Sequence, residues 1–100
     1  GTSTSWYPDG QKQSEKTYIT DMKNGKWSMW YSNGQIQDEE NYKDDQKQGK
    51  SYVWYPNGQL QIEENYKDDQ KHGMWSVWLE DGRIFKKTKY KNDICISGDC

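Results

Sequence analysis

The chain has 100 residues, of which 30% are hydrophobic and 30% charged, and its mean hydropathy is −1.43. This hydrophobic share is below that of a typical globular core, so we expect one domain without a deep two-layer core. Fourteen basic and sixteen acidic residues give a net charge of −2, which offers no electrostatic attraction to nucleic acid or to an anionic membrane surface.

Aromatic residues distinguish this chain from a disordered polar one. It contains six Trp and eight Tyr, whereas disordered chains are poor in aromatic residues. Alanine is absent, leucine occurs twice, and the other apolar residues are mainly Trp, Tyr, Ile and Val. These residues suit strands and disfavour helices. We therefore predict an all-β fold.

One six-residue motif recurs with a constant period of 24 residues. It reads WYPDGQ from residue 6, WYSNGQ from 30, WYPNGQ from 54 and WLEDGR from 78. Residues 27–50 and 51–74 are identical at 16 of 24 aligned positions, which indicates a repeat architecture. The invariant columns, which we predict to be structural, are Trp6, Trp30, Trp54 and Trp78; Tyr18, Tyr42, Tyr66 and Tyr90; and Gly10, Gly34, Gly58 and Gly82.

These columns divide the chain into three parts. A short tag or linker is followed by a repeat domain and by a C-terminal cap. The predicted bounds are 1–5 for the tag or linker, 6–93 for the repeat domain, with units near 6–26, 27–50, 51–74 and 75–93, and 94–100 for the cap.

Each unit is expected to form a β-hairpin. In the second unit, residues 26–31 and 35–42 are the predicted strands, and residues 43–49 connect them to the next unit. A Pro-Asn-Gly or Pro-Asp-Gly tip fits a type I turn whose glycine is left-handed, the usual three-residue hairpin loop. That loop predicts pairing of Tyr55 with Gln59 and of Trp54 with Leu60.

Successive hairpins are predicted to lie side by side. Two strands per unit, at about 4.8 Å each, advance the tryptophan column by roughly 10 Å per repeat. The predicted fold is an elongated single-layer antiparallel meander of about four stacked hairpin repeats. The lysine-rich segment KKTKYK, residues 86–91, replaces the acidic segment of earlier units and would discourage strand addition at that end.

Alternation along the strands assigns residues to two faces. Counting by twos places Ile36 and Tyr42 on the face of Trp30, which we assign to the core. The opposite face carries a less regular stripe amid polar residues, and interfaces favour Trp and Tyr anchors in such a setting. The candidate partner-binding residues of this stripe are Trp27, Tyr31, Tyr55 and Trp75.

Catalytic and metal-binding chemistry is not expected. The adjacent carboxylates Glu39 and Glu40 point to opposite sides of a strand, and the loop pair Asp44 and Asp45 lacks the spacing of a calcium loop, so solvated charge is the simpler reading. His72 occupies a loop position expected to face solvent and has no evident catalytic partner. We therefore predict no enzyme activity, no cofactor and no metal.

The segment GKWSMWYSNGQIQDEENYKDDQKQG, residues 25–49, resembles the MORN-type repeat in its bacterial variant, and the resemblance extends over about residues 6–93. This variant is known from YwqK-like proteins, named as antitoxins of toxin–antitoxin systems, and from many secreted or envelope proteins. The resemblance implies hairpins stacked into one elongated, twisted sheet, with protein binding as the commonest use. This sequence departs from the motif at Ser51, Tyr52 and Met74 and in the eroded fourth unit.

Three functional classes follow from this reading. The first is a non-catalytic scaffold that binds a protein, such as a toxin or an envelope component. The second is a structural spacer or oligomerisation element, and the oligomeric state is open. Carbohydrate binding is the third, supported by exposed Trp and Gln.

Cys95 and Cys100 are close enough in sequence to bridge across a Ser-Gly-Asp turn. A disulfide loop that caps the C-terminal edge is one reading, and free thiols in a reducing compartment are the other. A disulfide would favour a secreted or cell-envelope protein, and its absence a cytoplasmic one. No apolar run approaches the length of a spanning helix and no signal peptide is evident, so we do not expect membrane insertion.

Overall fold

The computed structural model describes all 100 residues and consists of strands and turns without a helix. No part of it therefore forms a helix with the length and apolarity that crossing a lipid bilayer requires. The strands are β1 (Thr2–Trp6), β2 (Lys12–Ile19), β3 (Met22–Lys23), β4 (Gly25–Trp30), β5 (Ile36–Lys43), β6 (Gln46–Lys47), β7 (Gly49–Trp54), β8 (Leu60–Lys67), β9 (Gln70–Lys71), β10 (Gly73–Trp78), β11 (Ile84–Lys91) and β12 (Ile94–Gly98).

All strands belong to one open antiparallel sheet. The long strands follow chain order, β1-β2-β4-β5-β7-β8-β10-β11-β12, and the two-residue strands β3, β6 and β9 pair with β2, β5 and β8. The Cα atoms span 43 × 37 × 11 Å, which is the thickness of a single layer. The predicted all-β, single-layer meander of stacked hairpins is therefore confirmed.

The hairpin tips have the predicted geometry. In the third unit, the Gly58 N–H donates to the Tyr55 carbonyl at 2.9 Å, the Tyr55 N–H donates to the Gln59 carbonyl at 2.8 Å, and Gly58 has φ +88°. Trp54 pairs with Leu60, as predicted. The Asn57 side chain also accepts a hydrogen bond from the Gln59 N–H at 2.9 Å. This contact explains why every tip has Asn or Asp before its glycine.

A β-bulge follows each tip and changes the faces of the residues beyond it. In the second unit Trp30 pairs with Ile36, but Met29 pairs with Asp38, so Gln37 is an extra residue. Counting by twos fails across this bulge. The prediction that Tyr42 shares the face of Trp30 is therefore wrong, and Tyr42 instead lies on the face of Trp27.

The segment predicted as a plain connection is a second tight hairpin. Lys43 pairs with Gln46, and the two residues between them, Asp44 and Asp45, have φ +49° and +67°. Two successive residues with positive φ define a type I′ turn, which suits the twist of a two-residue hairpin. Aspartate tolerates this left-handed conformation better than most residues, which accounts for the acidic pair at the turn.

The second residue of each such turn ties its unit to the unit before it. The Asp45 N–H donates to the Lys23 carbonyl at 3.0 Å, and the Asp45 carboxylate accepts from the Lys23 N–H at 2.7 Å. Asp69 makes the same two hydrogen bonds with Lys47. Asp93 repeats them with Lys71. The prediction that these loop carboxylates are only solvated charges is therefore incomplete, because the second aspartate of each pair accepts a hydrogen bond from the backbone of the preceding unit.

The sheet has no buried hydrophobic core. The four buried residues are all small and polar: Ser28, Ser51, Ser76 and Thr88. The large side chains are instead half-buried against one another on the two open faces. Lateral hydrogen bonds and ring contacts between neighbouring strands therefore hold the fold together, rather than a second layer.

Both ends of the chain take part in the sheet. Residues 2–5 of the segment predicted as a tag or linker belong to β1, which pairs with β2 from Thr2 opposite Thr17 onward. At the other end β12 pairs with β11, and Cys95 and Cys100 form a disulfide with Cα atoms 5.8 Å apart. The region predicted as a cap is thus an additional edge strand closed by a small covalent loop.

The contact between the Asp45 carboxylate and Lys23 can be tested with a matched pair of variants. D45A and D44A both place alanine at a left-handed position, but only D45A removes a 2.7 Å hydrogen bond to the preceding unit. The Asp44 carboxylate has only a 3.5 Å contact with Asn24. We expect D45A to lower the free energy of unfolding by about 1–2 kcal/mol more than D44A, measured by urea denaturation. Equal losses would contradict this role for Asp45.

Candidate interaction surface

One face of the sheet carries rows of aromatic rings that cross the strands. Trp27 lies between Tyr18 and Tyr42, with ring centroids 5.1 and 5.2 Å away. Trp75 lies between Tyr66 and Tyr90 at 5.2 and 5.3 Å. We call this side of the sheet the ladder face and the other side the opposite face.

Each indole of the ladder is fixed by a hydrogen bond to backbone. The Trp27 Nε1–H donates to the Thr17 carbonyl at 2.9 Å, and the Trp75 Nε1–H donates to the Asn65 carbonyl at 2.9 Å. An indole held both by flanking rings and by its N–H has a fixed orientation at a polar surface. The ladder is therefore rigid although it is only half-buried.

Lysines from the short strands lie over the rings. The Lys23 ammonium is 4.7 Å from the Trp27 ring centroid and 4.9 Å from that of Tyr42. The Lys71 ammonium is 4.8 Å from Trp75 and 5.0 Å from Tyr90. These distances suit cation–π attraction. The ladder face therefore presents positive groups above aromatic surface.

A second tyrosine column joins consecutive hairpin tips. The Tyr31 hydroxyl donates to the Trp54 carbonyl at 2.6 Å, and the Tyr55 hydroxyl donates to the Trp78 carbonyl at 2.8 Å. Tyr7 makes the equivalent bond to the Trp30 carbonyl at 2.6 Å. Burial, and then the charge of Asp38, raise the pKa of Tyr31 above its usual value. Leu79 stands in this column in the last unit, so the series ends there.

The tryptophans at the hairpin tips do not form the ladder. Trp54 packs against Tyr52 on the opposite face, with ring centroids 5.5 Å apart. Trp30 has the Lys12 ammonium 5.8 Å from its ring, and Trp6 is 59% exposed. The backbone carbonyls of Trp30, Trp54 and Trp78 nevertheless accept the tyrosine hydroxyls, so these three residues contribute to joining the units.

The four residues predicted to bind a partner all lie on the ladder face. Each of them also makes an intramolecular contact, because Trp27 and Trp75 are held in the ladder while Tyr31 and Tyr55 join the tips. Their role in partner binding stays a prediction. Removing these rings would disturb the sheet as well as any interface.

The third unit lacks an indole in its ladder. Ser51 stands where Trp27 and Trp75 stand in their units, and the Ser51 side chain is 2% exposed with an Oγ that has no hydrogen-bond partner. Its cross-strand partner is Glu64. Neighbouring side chains cover Ser51, and no cavity opens at this position.

Carboxylates beside Ser51 are partly removed from water. Burial raises the pKa of Glu64, and the charge of Glu40 adds to the rise, although Lys47 opposes it. Burial and then the charge of Glu40 likewise raise the pKa of Asp38. Burial and the neighbouring carboxylates raise the pKa of Tyr66 to about 12. The centre of the ladder face therefore combines partly buried carboxylates with the Lys47 ammonium.

The opposite face combines the hairpin-tip tryptophans with exposed ion pairs. Its ion pairs join Lys26 to Glu39 at 2.9 Å and Lys50 to Glu63 at 3.6 Å, and both lysine side chains are more than half exposed. Exposed pairs of this kind contribute little to stability. The small buried residues Ser28 and Ser76 lie between these charged rows.

His72 differs from the sequence prediction of a solvent-facing residue. The residue is half-buried, and its Nδ1 is excluded from solvent without a hydrogen-bond partner. In the two preceding units the residue of this column accepts a backbone N–H from the next turn: Asn24 from Asp44 at 3.1 Å and Gln48 from Asp68 at 2.8 Å. His72 stands in the same column, but its side chain makes no such hydrogen bond.

Neither face contains a ligand-sized cavity, and no three potential ligands among His, Cys, Asp and Glu converge on a point that a metal ion could occupy. The prominent features are shallow and extended over several strands. Such a surface suits contact with a macromolecule better than enclosure of a small molecule.

A family comparison accounts for this architecture. The family described as the MORN repeat variant matches residues 1–19, 23–44 and 47–68, which together make up more than half of the chain. The chain belongs to this family. MORN repeats are in general non-enzymatic modules that bind proteins or membranes. Among curated proteins, none matches this sequence.

The tyrosine bonds between hairpin tips can be tested with a conservative change. Y55F removes only the hydroxyl that donates to the Trp78 carbonyl. We expect the free energy of unfolding to fall by about 1 kcal/mol, measured by chemical denaturation, because a partly buried acceptor loses its partner. Y52F is the matched control, since the Tyr52 ring packs on Trp54 and its hydroxyl makes no hydrogen bond. A similar loss in both variants would contradict a role for the Tyr55 hydroxyl.

Proposed function

We propose that this protein is a non-catalytic scaffold whose ladder face binds another protein. The observation that carries the proposal is a rigid row of half-exposed Trp and Tyr rings, interleaved with charged groups, on a layer 11 Å thick. Aromatic anchors among polar groups are characteristic of binding hot spots. Their fixed orientation reduces the entropy that binding would cost.

The ladder face is favoured over the opposite face because its units differ. The second and fourth units carry Trp27 and Trp75 at the same position of the ladder. The third unit carries Ser51 there, beside a group of carboxylates. Variation on a regular scaffold gives different positions different chemistry. The opposite face instead repeats its features from unit to unit, with a tryptophan at each hairpin tip and two exposed ion pairs.

The partner that we propose is a protein toxin or a cell-envelope protein. This finer assignment rests on the likeness of residues 25–49 to the bacterial repeat of YwqK-like antitoxins, together with the surface described above. An antitoxin role predicts that co-production of this chain restores growth to cells that make the partner. If the purified partner is not toxic, an envelope role is favoured instead.

A pair of methionines allows the binding face to be tested directly. Met29 lies on the ladder face and is 36% exposed, while Met74 lies on the opposite face and is 39% exposed. With the other two methionines replaced by leucine, including Met22, which is 37% exposed, a photo-reactive methionine analogue at position 29 or 74 samples one face with nearly equal accessibility. Cross-linking would be performed in cells that naturally produce the protein, followed by mass spectrometry of the adducts.

We expect a discrete protein adduct from position 29 and none from position 74. Purified partner should then bind the unmodified chain in solution. Adducts from position 74 alone would contradict the assigned face. An adduct composed of two copies of this chain would support the oligomerisation function instead of the scaffold proposed here.

A further inference from the structure

We propose that the hairpin-tip tryptophans of the opposite face bind an uncharged, linear β-1,4-linked polysaccharide, whose sugar rings stack on successive indoles. This inference goes beyond the protein partner proposed for the ladder face. It concerns the other side of the sheet and a different class of ligand.

The residues at the hairpin tips form a continuous row on the opposite face. Each tip tryptophan lies directly across from the first residue of the following strand, and such partners share a face. The four pairs are Trp6 with Lys12, Trp30 with Ile36, Trp54 with Leu60 and Trp78 with Ile84. We call these eight residues the tip stripe. Apart from Lys12, every member is apolar.

Contacts between neighbouring tips keep this row in line. The Asn33 side-chain amide donates to the Pro56 carbonyl at 3.0 Å, and the Asn57 amide donates to the Glu80 carbonyl at 3.3 Å. Successive tips therefore lie side by side. Because each unit contributes two strands to the stripe, the tryptophans recur at intervals of about 10 Å.

The indoles of the tip stripe are accessible from solvent. Trp6 is 59% exposed, and Trp30, Trp54 and Trp78 are partly exposed. The two ladder tryptophans donate their Nε1–H groups to backbone carbonyls, whereas those of the tip tryptophans donate to no protein group and none of them is buried. Each tip thus offers an apolar ring surface and a free hydrogen-bond donor on an open face, so a ligand needs no cavity.

The shape of the tip stripe suits a linear polymer. It is about one side chain wide and four intervals of roughly 10 Å long, so it offers roughly 400 Å², about half of what each partner contributes to a standard protein interface. A second copy of this sheet would therefore gain little from covering it. A narrow chain that runs across the strands can instead contact every tryptophan.

The charged groups beside the stripe favour a ligand without net charge. In the first three units they form ion pairs: Lys12 with Glu15 at 2.8 Å, Lys26 with Glu39 at 2.9 Å and Lys50 with Glu63 at 3.6 Å. Glu39 and Glu63 lie on the same face, one cross-strand pair away from the stripe. Balanced charges do not attract a polyanion such as nucleic acid. Ammonium groups donate and carboxylates accept hydrogen bonds, and sugar hydroxyls can do both.

A β-1,4-linked polysaccharide combines these properties. Its sugar rings have flat C–H faces that pack on indoles and hydroxyl groups at their edges. Successive sugars are turned over, so the same face recurs once per disaccharide, at roughly the 10 Å interval of the tip tryptophans. An α-1,4-linked chain of the same sugar curves and cannot follow the row.

The test is an NMR titration of the ¹⁵N-labelled chain with cellohexaose, following the indole N–H signals. The four tip tryptophans should show saturable shifts, while Trp27 and Trp75 serve as internal controls and should not move. Cellobiose spans a single interval and should bind at least about tenfold more weakly than cellohexaose. Maltohexaose, the α-linked hexamer of the same sugar, should also bind at least about tenfold more weakly.

The double variant W30L/W54L removes two rings but keeps apolar side chains, as at Leu60 of the same stripe. It should retain the β-strand signal in circular dichroism and weaken cellohexaose binding by about tenfold or more. M29L, on the ladder face, is the matched control and should bind like the unmodified chain.

Four results would each overturn the inference: no saturable shift with cellohexaose, equally tight binding of maltohexaose, shifts confined to Trp27 and Trp75, or binding unaffected by W30L/W54L. The titration of the unmodified chain decides the first three without any variant. Because the cross-linking experiment samples protein partners, failure of glycan binding and failure of the scaffold function are distinguishable.

Discussion

The contact between consecutive 24-residue units is the interaction on which the rest of this structure depends. A single sheet layer with no buried hydrophobic side chain cannot be stabilised by a second layer. Each unit is instead held by its neighbour through strand pairing, ring contacts and two recurring hydrogen-bonded contacts. These two are a tyrosine hydroxyl on a tryptophan carbonyl and an aspartate on a lysine backbone. Contacts that recur at a constant sequence offset convert a repeat in the chain into a repeat in space.

This arrangement leaves both faces open and makes each position on them separately variable. The residues that join units lie at the hairpin tips and at the type I′ turns, whereas the ladder lies between these two ends. Ser51 shows the consequence, because one unit can lack its indole while the strands on either side keep their register. Specificity can therefore vary along the ladder face without loss of the scaffold.

Much of the fold was predictable because local sequence determines it. The Asn-Gly and Asp-Gly tips define both the turn and the Trp54–Leu60 register, and the 24-residue period defines the stacking. The bulge at Gln37 was not predictable from alternation, and it moves Tyr42 to the face of Trp27. The Tyr31 and Asp45 contacts were also missed, since they depend on how neighbouring units align. The Asp-Asp pair that is identical in the two central units was the sequence feature that could have indicated the Asp45 contact.

Deletion of residues 51–74 tests most directly whether the 24-residue period of the sequence sets a constant distance between units in the sheet. The deletion joins Lys50 to Trp75 and recreates the Gly-Lys-Trp segment of the second unit. Small-angle X-ray scattering should show the sheet shortened by about 10 Å, the width of two strands. Circular dichroism should show an unchanged β-strand signal per residue. An unfolded chain, or a compact particle whose dimensions do not follow the number of units, would contradict the account.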